Sequence, residues 1–229
     1  MPGSRFIQVL VLFLVLVATV RASPRCEDLP ATSVNVVLLE SELRTNFQHG
    51  YRALKGMSQR YADHGFHVLG LTVGQATVKA KASLRSLREP GGRWECSTAG
   101  LTFEIGYQPL TVYVGREFSP ESCGFREIYQ HELRHAEIYR RQARQAAAEL
   151  TQALTARFAG MGPWRGPVGS GQSKIESEIN ERWLPYARRL LEQAEPLQRE
   201  VDSREEYERV AQSCDGQIAR VLRQAASRH

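Results

Sequence analysis

Two histidines four residues apart bracket a glutamate in the run His131-Glu132-Leu133-Arg134-His135. On a helix, residues at that spacing lie one turn above each other on one face. Two imidazoles so placed can reach a single zinc ion at about 2.0–2.1 Å. Glu132 is turned about 100° from His131, so it need not be a ligand and can serve as a general base. Zinc lowers the pKa of a water in its open position towards about 7. A carboxylate beside that water can take its proton during attack on a carbonyl, then hand it to the leaving amine. This is the chemistry of the His-Glu-x-x-His pattern. The plainer reading is two surface histidines on a polar helix.

The motif does not supply the third ligand. No Gly-x-x-His follows His135, which argues against the metzincin arrangement. Candidates downstream are Glu176, Glu178 and Glu181, then Glu205, Glu206, Tyr207 and Glu208. Asn180-Glu181 is only a fragment of the Asn-Glu-x-x-Ser-Asp signature of the thermolysin-like plan. His229 stands at the extreme end, where a frayed terminus is expected. The strict peptidase form of the motif wants uncharged residues between the histidines and an apolar residue two places after. Arg134 and Glu137 stand there instead, both able to project to solvent. Zinc binding therefore follows from the motif more directly than peptide hydrolysis does.

The elements that must carry these residues change character near Pro120. Before it, over residues 23–118, short apolar runs alternate with turn residues. Strands are expected at Val34 to Leu39, Phe66 to Val73, Ala76 to Leu87, Trp94 to Ile105 and Leu110 to Val114. A helix is expected over Thr45 to His64, and a turn at Pro90-Gly91-Gly92. Over residues 119–229 the chain reads as helical. Ser119-Pro120-Glu121 is a helix start, with a hydroxyl cap, proline at the first position and an acid in the first turn. From there to Phe158 only Gly124 interrupts a run of good helix formers, so one long helix should carry the motif. A Gly/Pro loop over Ala159 to Gly171 and helices over Ser173 to Glu195 and Ser203 to Ala226 follow. The expected class is α+β: a small, mostly antiparallel N-terminal sheet, then a long site-bearing helix and two further helices in one domain, 23–229.

Residues 1–22 read as a secretory leader: Arg5, then an apolar run over Phe6 to Val20, then a small residue suiting a cut after Ala22. The run is shorter than the ~20 residues a spanning helix needs, so no stable membrane anchor is expected after cleavage. The expected location is periplasmic or secreted. Four cysteines, Cys26, Cys96, Cys123 and Cys214, suit two disulfides in an exported chain and allow three pairings. None forms a Cys-x-x-Cys pair, which disfavours a thiolate zinc site. The net charge of +5 comes from arginines that alternate with glutamates along the helices, as on a solvated face. Export also separates the chain from cytosolic DNA and RNA, so no nucleic-acid partner is expected.

The run Glu121-Ser122-Cys123-Gly124-Phe125-Arg126-Glu127-Ile128 into His131-Glu132-Leu133-Arg134-His135 resembles a bacterial family of secreted proteins of unknown function, predicted to be zinc-dependent proteases. The resemblance is specific around residues 119–140. It implies a zincin-like domain with a β-rich half and a long helix bearing the motif. In that family a later Tyr-Asp-x-x-Thr-x-His-Gly segment is thought to supply a further histidine. The corresponding run here is Val201-Asp202-Ser203-Arg204-Glu205-Glu206-Tyr207-Glu208, in which Tyr207 takes the histidine's place. Tyr207 is thus the expected third ligand, with Glu206 as the alternative if the helix is rotated. Cys214 lies two turns beyond Tyr207, and Cys123 two turns before His131. A bridge between them would hold the last helix against the motif helix, which favours Cys123–Cys214 and leaves Cys26–Cys96.

These readings point to a zinc-dependent metallopeptidase acting on a peptide or protein. The alternatives are a non-catalytic zinc-binding envelope protein and a metal-free helical interaction module. Trp164 in the Gly/Pro loop either covers the metal or pins the loop to the core. Tyr139, one turn after His135, is an oxyanion candidate or a packing residue. Arg126 and Arg134 either bind a substrate carboxylate or pair with nearby glutamates. His49, His64 and His67 share no ligand spacing.

Overall fold

A computed structural model describes residues 25–58 and 67–227. The leader expected over residues 1–22, the run containing His64, and His229 lie outside the described residues. One long strand organises the sheet. Along β4 (Trp94–Val114), Leu101, Phe103 and Ile105 point inward while Thr102 and Glu104 stay partly exposed, the two-residue period of a strand with one buried face. β3 (Gly70–Arg88) pairs antiparallel with β4 along its length, with a register shift between Gly74 and Ala76. The other edge of β4 is shared. β1 (Ser33–Leu39) and β2 (Leu43–Asn46) pair with it in parallel, and β5 (Trp164–Pro167) pairs antiparallel with residues 94–97.

The fold is α+β as expected, and the sheet is mixed: its longest ladder, β3 with β4, is antiparallel, while β1 and β2 join β4 in parallel. Side-chain periodicity gives which face is buried and says nothing about strand direction. Parallel pairing needs a long crossover, and the chain between β2 and β4 supplies one. The pairs of strands expected at 66–73 and 76–87, and at 94–105 and 110–114, are each continuous. In β4 the burial phase moves from Leu101, Phe103, Ile105 and Tyr107 to Leu110, Val112 and Val114 across the Gln108-Pro109 peptide. Thr45 and Asn46, expected in a helix, belong to β2. Helix α1 covers only Tyr51–Met57, with extended Gly50 at its cap.

Helix α2 (Cys123–Phe158) is the long helix, entered one turn later than expected. Its cap is Ser122, whose hydroxyl accepts the Phe125 N–H at 3.1 Å. Ser119 and Pro120 lie in the preceding turn, where Phe118 is buried. Ile138, Ala146, Leu150 and Leu154 of α2 share one core with Phe103 and Ile105 of β4. Each of the larger side chains among them contributes roughly 1.5–3 kcal/mol. The core fixes the rotation of α2 and so turns the motif to a defined face.

The loop expected over 159–171 contains β5, where Trp164 meets Phe158 edge-on at 6.4 Å. Trp164 pins the loop to the core. The helix expected over 173–195 is α3 (Ser170–Ser177), a π-helical stretch (Glu178–Trp183) and α4 (Leu184–Glu192). A further helix, α5 (Ala194–Val201), was not expected. Glu195-Pro196 reads as an end in sequence, yet proline is tolerated in a first helical turn, where its missing N–H has no partner to lose. The last helix divides into α6 (Arg204–Gln212) and α7 (Gln217–Ser227). Cys214, Asp215 and Gly216 between them all have positive φ, which no α-helix accommodates.

Disulfides join Cys26 to Cys96 and Cys123 to Cys214, the pairing favoured above. Among the described residues no helix is long and apolar enough to cross a membrane.

Candidate metal centre

His131 and His135 lie on the face of α2 covered by α5 and α6, and are 8% and 7% exposed. The chain turns back over them at Asp202, the residue that ends α5. Ser203 then caps α6, its hydroxyl accepting the Glu206 N–H at 3.2 Å. The join between two short helices thus delivers a carboxylate to the motif. His131 Nε2 and His135 Nε2 are 3.2 and 3.1 Å from Asp202 Oδ1 and 3.1 Å from each other. Three ligands on one face of a tetrahedron about zinc, at about 2.0–2.1 Å from it, are themselves about 3.3–3.4 Å apart. His131, His135 and Asp202 could therefore hold a metal ion together.

The groups behind the imidazoles determine what the inner atoms offer. Gln198 of α5 donates its Nε2–H to the His135 carbonyl at 3.2 Å. Its amide orientation is thereby set, and its Oε1 faces His135 Nδ1. An amide oxygen only accepts, so Nδ1 carries a proton, and the neutral form of the ring turns its Nε2 lone pair towards Asp202. His131 Nδ1 faces Glu206 Oε1 at 3.3 Å and Arg134 Nη2 at 3.0 Å, an acceptor and a donor on the same nitrogen. Two imidazole nitrogens and a carboxylate oxygen then meet at 3.1–3.2 Å, an arrangement held together only when a cation or protons lie between. Outer acceptors of this kind are the usual support of metal-binding histidines.

Tyr207, the third ligand expected from sequence, lies against Asp202, and its alternative Glu206 lies against His131. The Tyr207 phenol donates to Asp202 Oδ1 at 3.3 Å. Glu206 also pairs with Arg134 and with Arg209. Arg134, a departure from the strict motif, is thus the counter-ion of the carboxylate that orients His131. Glu137 pairs with Arg144 on the exposed face. Glu178 pairs with Arg157, Glu208 with Arg204, and Glu176 bonds Gln172, so these carboxylates serve other contacts. Asp202 is the residue the sequence reading passed over. It is the aspartate of the Tyr-Asp-x-x-Thr-x-His-Gly-like run, and that pattern was its one available signal.

Glu132 is 4% exposed and borders the same cavity as the two histidines. The Thr72 hydroxyl of β3 lies 2.8 Å from Glu132 Oε2 and 2.9 Å from its carbonyl oxygen. Gly70 lets the strand approach: a Cβ there would come within 2.6 Å of Glu132 Oε1 and 2.8 Å of Ile128. Burial raises the Glu132 carboxyl above its ordinary value, partly offset by His135, His131 and Thr72. Asp202 goes the other way: burial is outweighed by hydrogen bonds from His131 and His135, which hold it well below the usual range. Arg209, then Arg134 and His131, hold Glu206 at about 2 despite its partial burial. Asp202 and Glu206 are therefore both held as anions beside the two rings.

Tyr139 lines the cavity and packs on Tyr107 at 4.6 Å, with Gly74 beneath its ring. His67, without ligand spacing in sequence, also borders the cavity. Removing the Gln198 amide should loosen His135 while leaving all three inner ligands in place. If the group holds a metal ion, Gln198→Ala is expected to weaken that binding about 10–100-fold, read by competition with a chromophoric chelator; an unchanged affinity would show that Gln198 does not set the ring.

Compared with known protein families, curated proteins and solved structures, the chain has no match.

Proposed function

We propose that the protein is a zinc-dependent hydrolase of amide bonds in peptides, acting in the periplasm or outside the cell. The observation that carries this reading is the convergence of His131 Nε2, His135 Nε2 and Asp202 Oδ1 within 3.1–3.2 Å, beside buried Glu132. Three protein ligands leave a position open, as catalytic rather than structural zinc sites do. A bound zinc ion would polarise the scissile carbonyl and acidify water. Glu132 would remove the proton from the attacking water and deliver it to the departing nitrogen. Thr72 would hold Glu132 in place for both transfers, and Tyr207 would keep Asp202 oriented. The two disulfides suit an oxidising compartment, and the run over residues 119–140 resembles predicted zinc-dependent proteases. One contact favours a non-catalytic zinc protein instead: the Thr72 bond occupies one oxygen of Glu132.

Glu132→Gln separates the two. The variant is expected to keep its zinc and to lose about 10²–10⁴-fold in peptide hydrolysis, measured on quenched fluorescent peptide libraries. Wild-type protein that holds zinc yet cleaves no peptide would establish the non-catalytic reading.

A further inference from the structure

The cavity beside the three ligands encloses about 230 Å³ and has two chemically different ends. His131, Glu132, His135 and Asp202 form one. Leu69, Ile128, Val210, Ile218, Ala219 and Leu222 form the other. Among the described residues that line it there is no lysine or arginine, and its only carboxylates are Glu132 and Asp202. Its other polar lining is the hydroxyls of Ser58, Thr72, Tyr139 and Tyr207, the Gln198 amide and the His67 ring, which is little to set against a buried charge, and an unpaired charge is costly to bury.

Helices α6 and α7 supply four of the six residues at the apolar end, and their position is fixed. The Cys123–Cys214 bridge ties the α6–α7 join to the start of α2. Gln217 Oε1 accepts the Gly124 N–H at 2.8 Å. Gly124 also allows close packing, since a Cβ there would lie 3.3 Å from Ile218 and 3.2 Å from Phe118. Ile218 is 1% exposed. The chamber is therefore a wall of the folded protein set before any ligand arrives, and a ligand filling it spends little on ordering its site.

We infer that the chamber is a specificity pocket selecting peptides with a bulky, uncharged apolar side chain next to the cleaved bond, which rests on the hydrolase reading above. A substrate held with its carbonyl at the His131–His135–Asp202 end places an adjacent side chain between Ile128 and α7. Water leaves apolar surface on both partners when that side chain is large. The preference over a glycine or alanine at the same place is roughly 10- to 100-fold. Acidic and basic side chains gain nothing there.

The test uses zinc-loaded full-length protein and three hydroxamates: acetohydroxamate, 3-phenylpropanohydroxamate and the carboxylate-bearing succinic monohydroxamate. Dissociation constants come from calorimetry, and zinc content is measured on every sample. The phenyl compound should bind at least 10-fold more tightly than acetohydroxamate, and the succinic compound no more tightly. Ala219→Phe, which fills the chamber from α7, should cut the phenyl-to-methyl ratio at least fivefold. Leu69→Trp does the same from the opposite wall and covers the case in which the first variant folds poorly. Equal binding of the phenyl and methyl compounds to zinc-loaded wild type would overturn the pocket, as would a ratio that survives both substitutions. Peptide hydrolysis that depends on Glu132 but shows no apolar preference would sink this inference alone. Failure to take up zinc would remove the hydrolase reading and the pocket with it.

Discussion

Asp202→Asn should leave the fold intact and abolish stoichiometric zinc binding. Asparagine keeps the shape of the side chain, including an oxygen that can accept from Tyr207, but removes the charge. In the native chain Asp202 Oδ1 is the anion at 3.1–3.2 Å from both imidazole nitrogens. Its carboxyl is held in the ionised form by those rings against the cost of burial. An outer partner such as Gln198 is worth about 10–100-fold in metal affinity, and loss of an inner anionic ligand should exceed that. The consequence can also be read as stability. A ligand present at 100 times its dissociation constant stabilises the folded state by about 2.7 kcal/mol. Zinc should therefore raise the unfolding temperature of the wild type and barely move that of the variant. A zinc-dependent rise of equal size in both would place the third ligand elsewhere, Tyr207 being the first to examine.

The second large effect concerns the Cys123–Cys214 bridge. Its half-cystines are 91 residues apart in sequence, and closing a loop near 100 residues stabilises by about 4.7 kcal/mol in the chain-entropy account. The bridge also anchors the join between α6 and α7, where Cys214, Asp215 and Gly216 hold positive φ. Replacing both cysteines by serine should cost about 4 kcal/mol in denaturant unfolding. Zinc stoichiometry should survive in the folded fraction, because the three ligands belong to α2 and the end of α5. A loss below about 1 kcal/mol would mean that core contacts such as Val210 and Ile218 hold the α6–α7 unit without the bridge.

The two halves of the site were unequally legible in the sequence. His131, Glu132 and His135 could be read because helix periodicity alone puts a four-residue pair on one face, and the composition of residues 123–158 permits little besides a helix. The cysteine pairing rested on placing Cys214 two turns beyond Tyr207 in one helix, and it holds although the helix breaks at Cys214. Asp202 was hidden because its approach depends on α5. That helix begins at Ala194-Glu195-Pro196, a run that looks like an ending. With α5 unseen, the turn back at Asp202-Ser203 was unseen too, and Tyr207 and Glu206 stood out through their position in a motif-like run. Both lie close by, one bonded to Asp202 and the other to His131. Gln198 carried no signal at all, since a glutamine on a surface-like helix gives no hint of a buried imidazole partner.

The sheet shows a related limit. Burial phase was readable strand by strand, as at Leu101, Phe103 and Ile105. Direction and neighbour order were not, because they depend on which edge of β4 each strand finds. Gly70 is the informative case: its missing Cβ matters only because β3 brings it against Glu132.

The most direct test of the account is the metal content of the protein purified without added metal, combined with X-ray absorption at the zinc edge. One zinc per chain is expected, bound by two imidazole nitrogens and a carboxylate oxygen, with the signal lost in Asp202→Asn. Protein that contains no zinc and takes up none at micromolar concentration would contradict it.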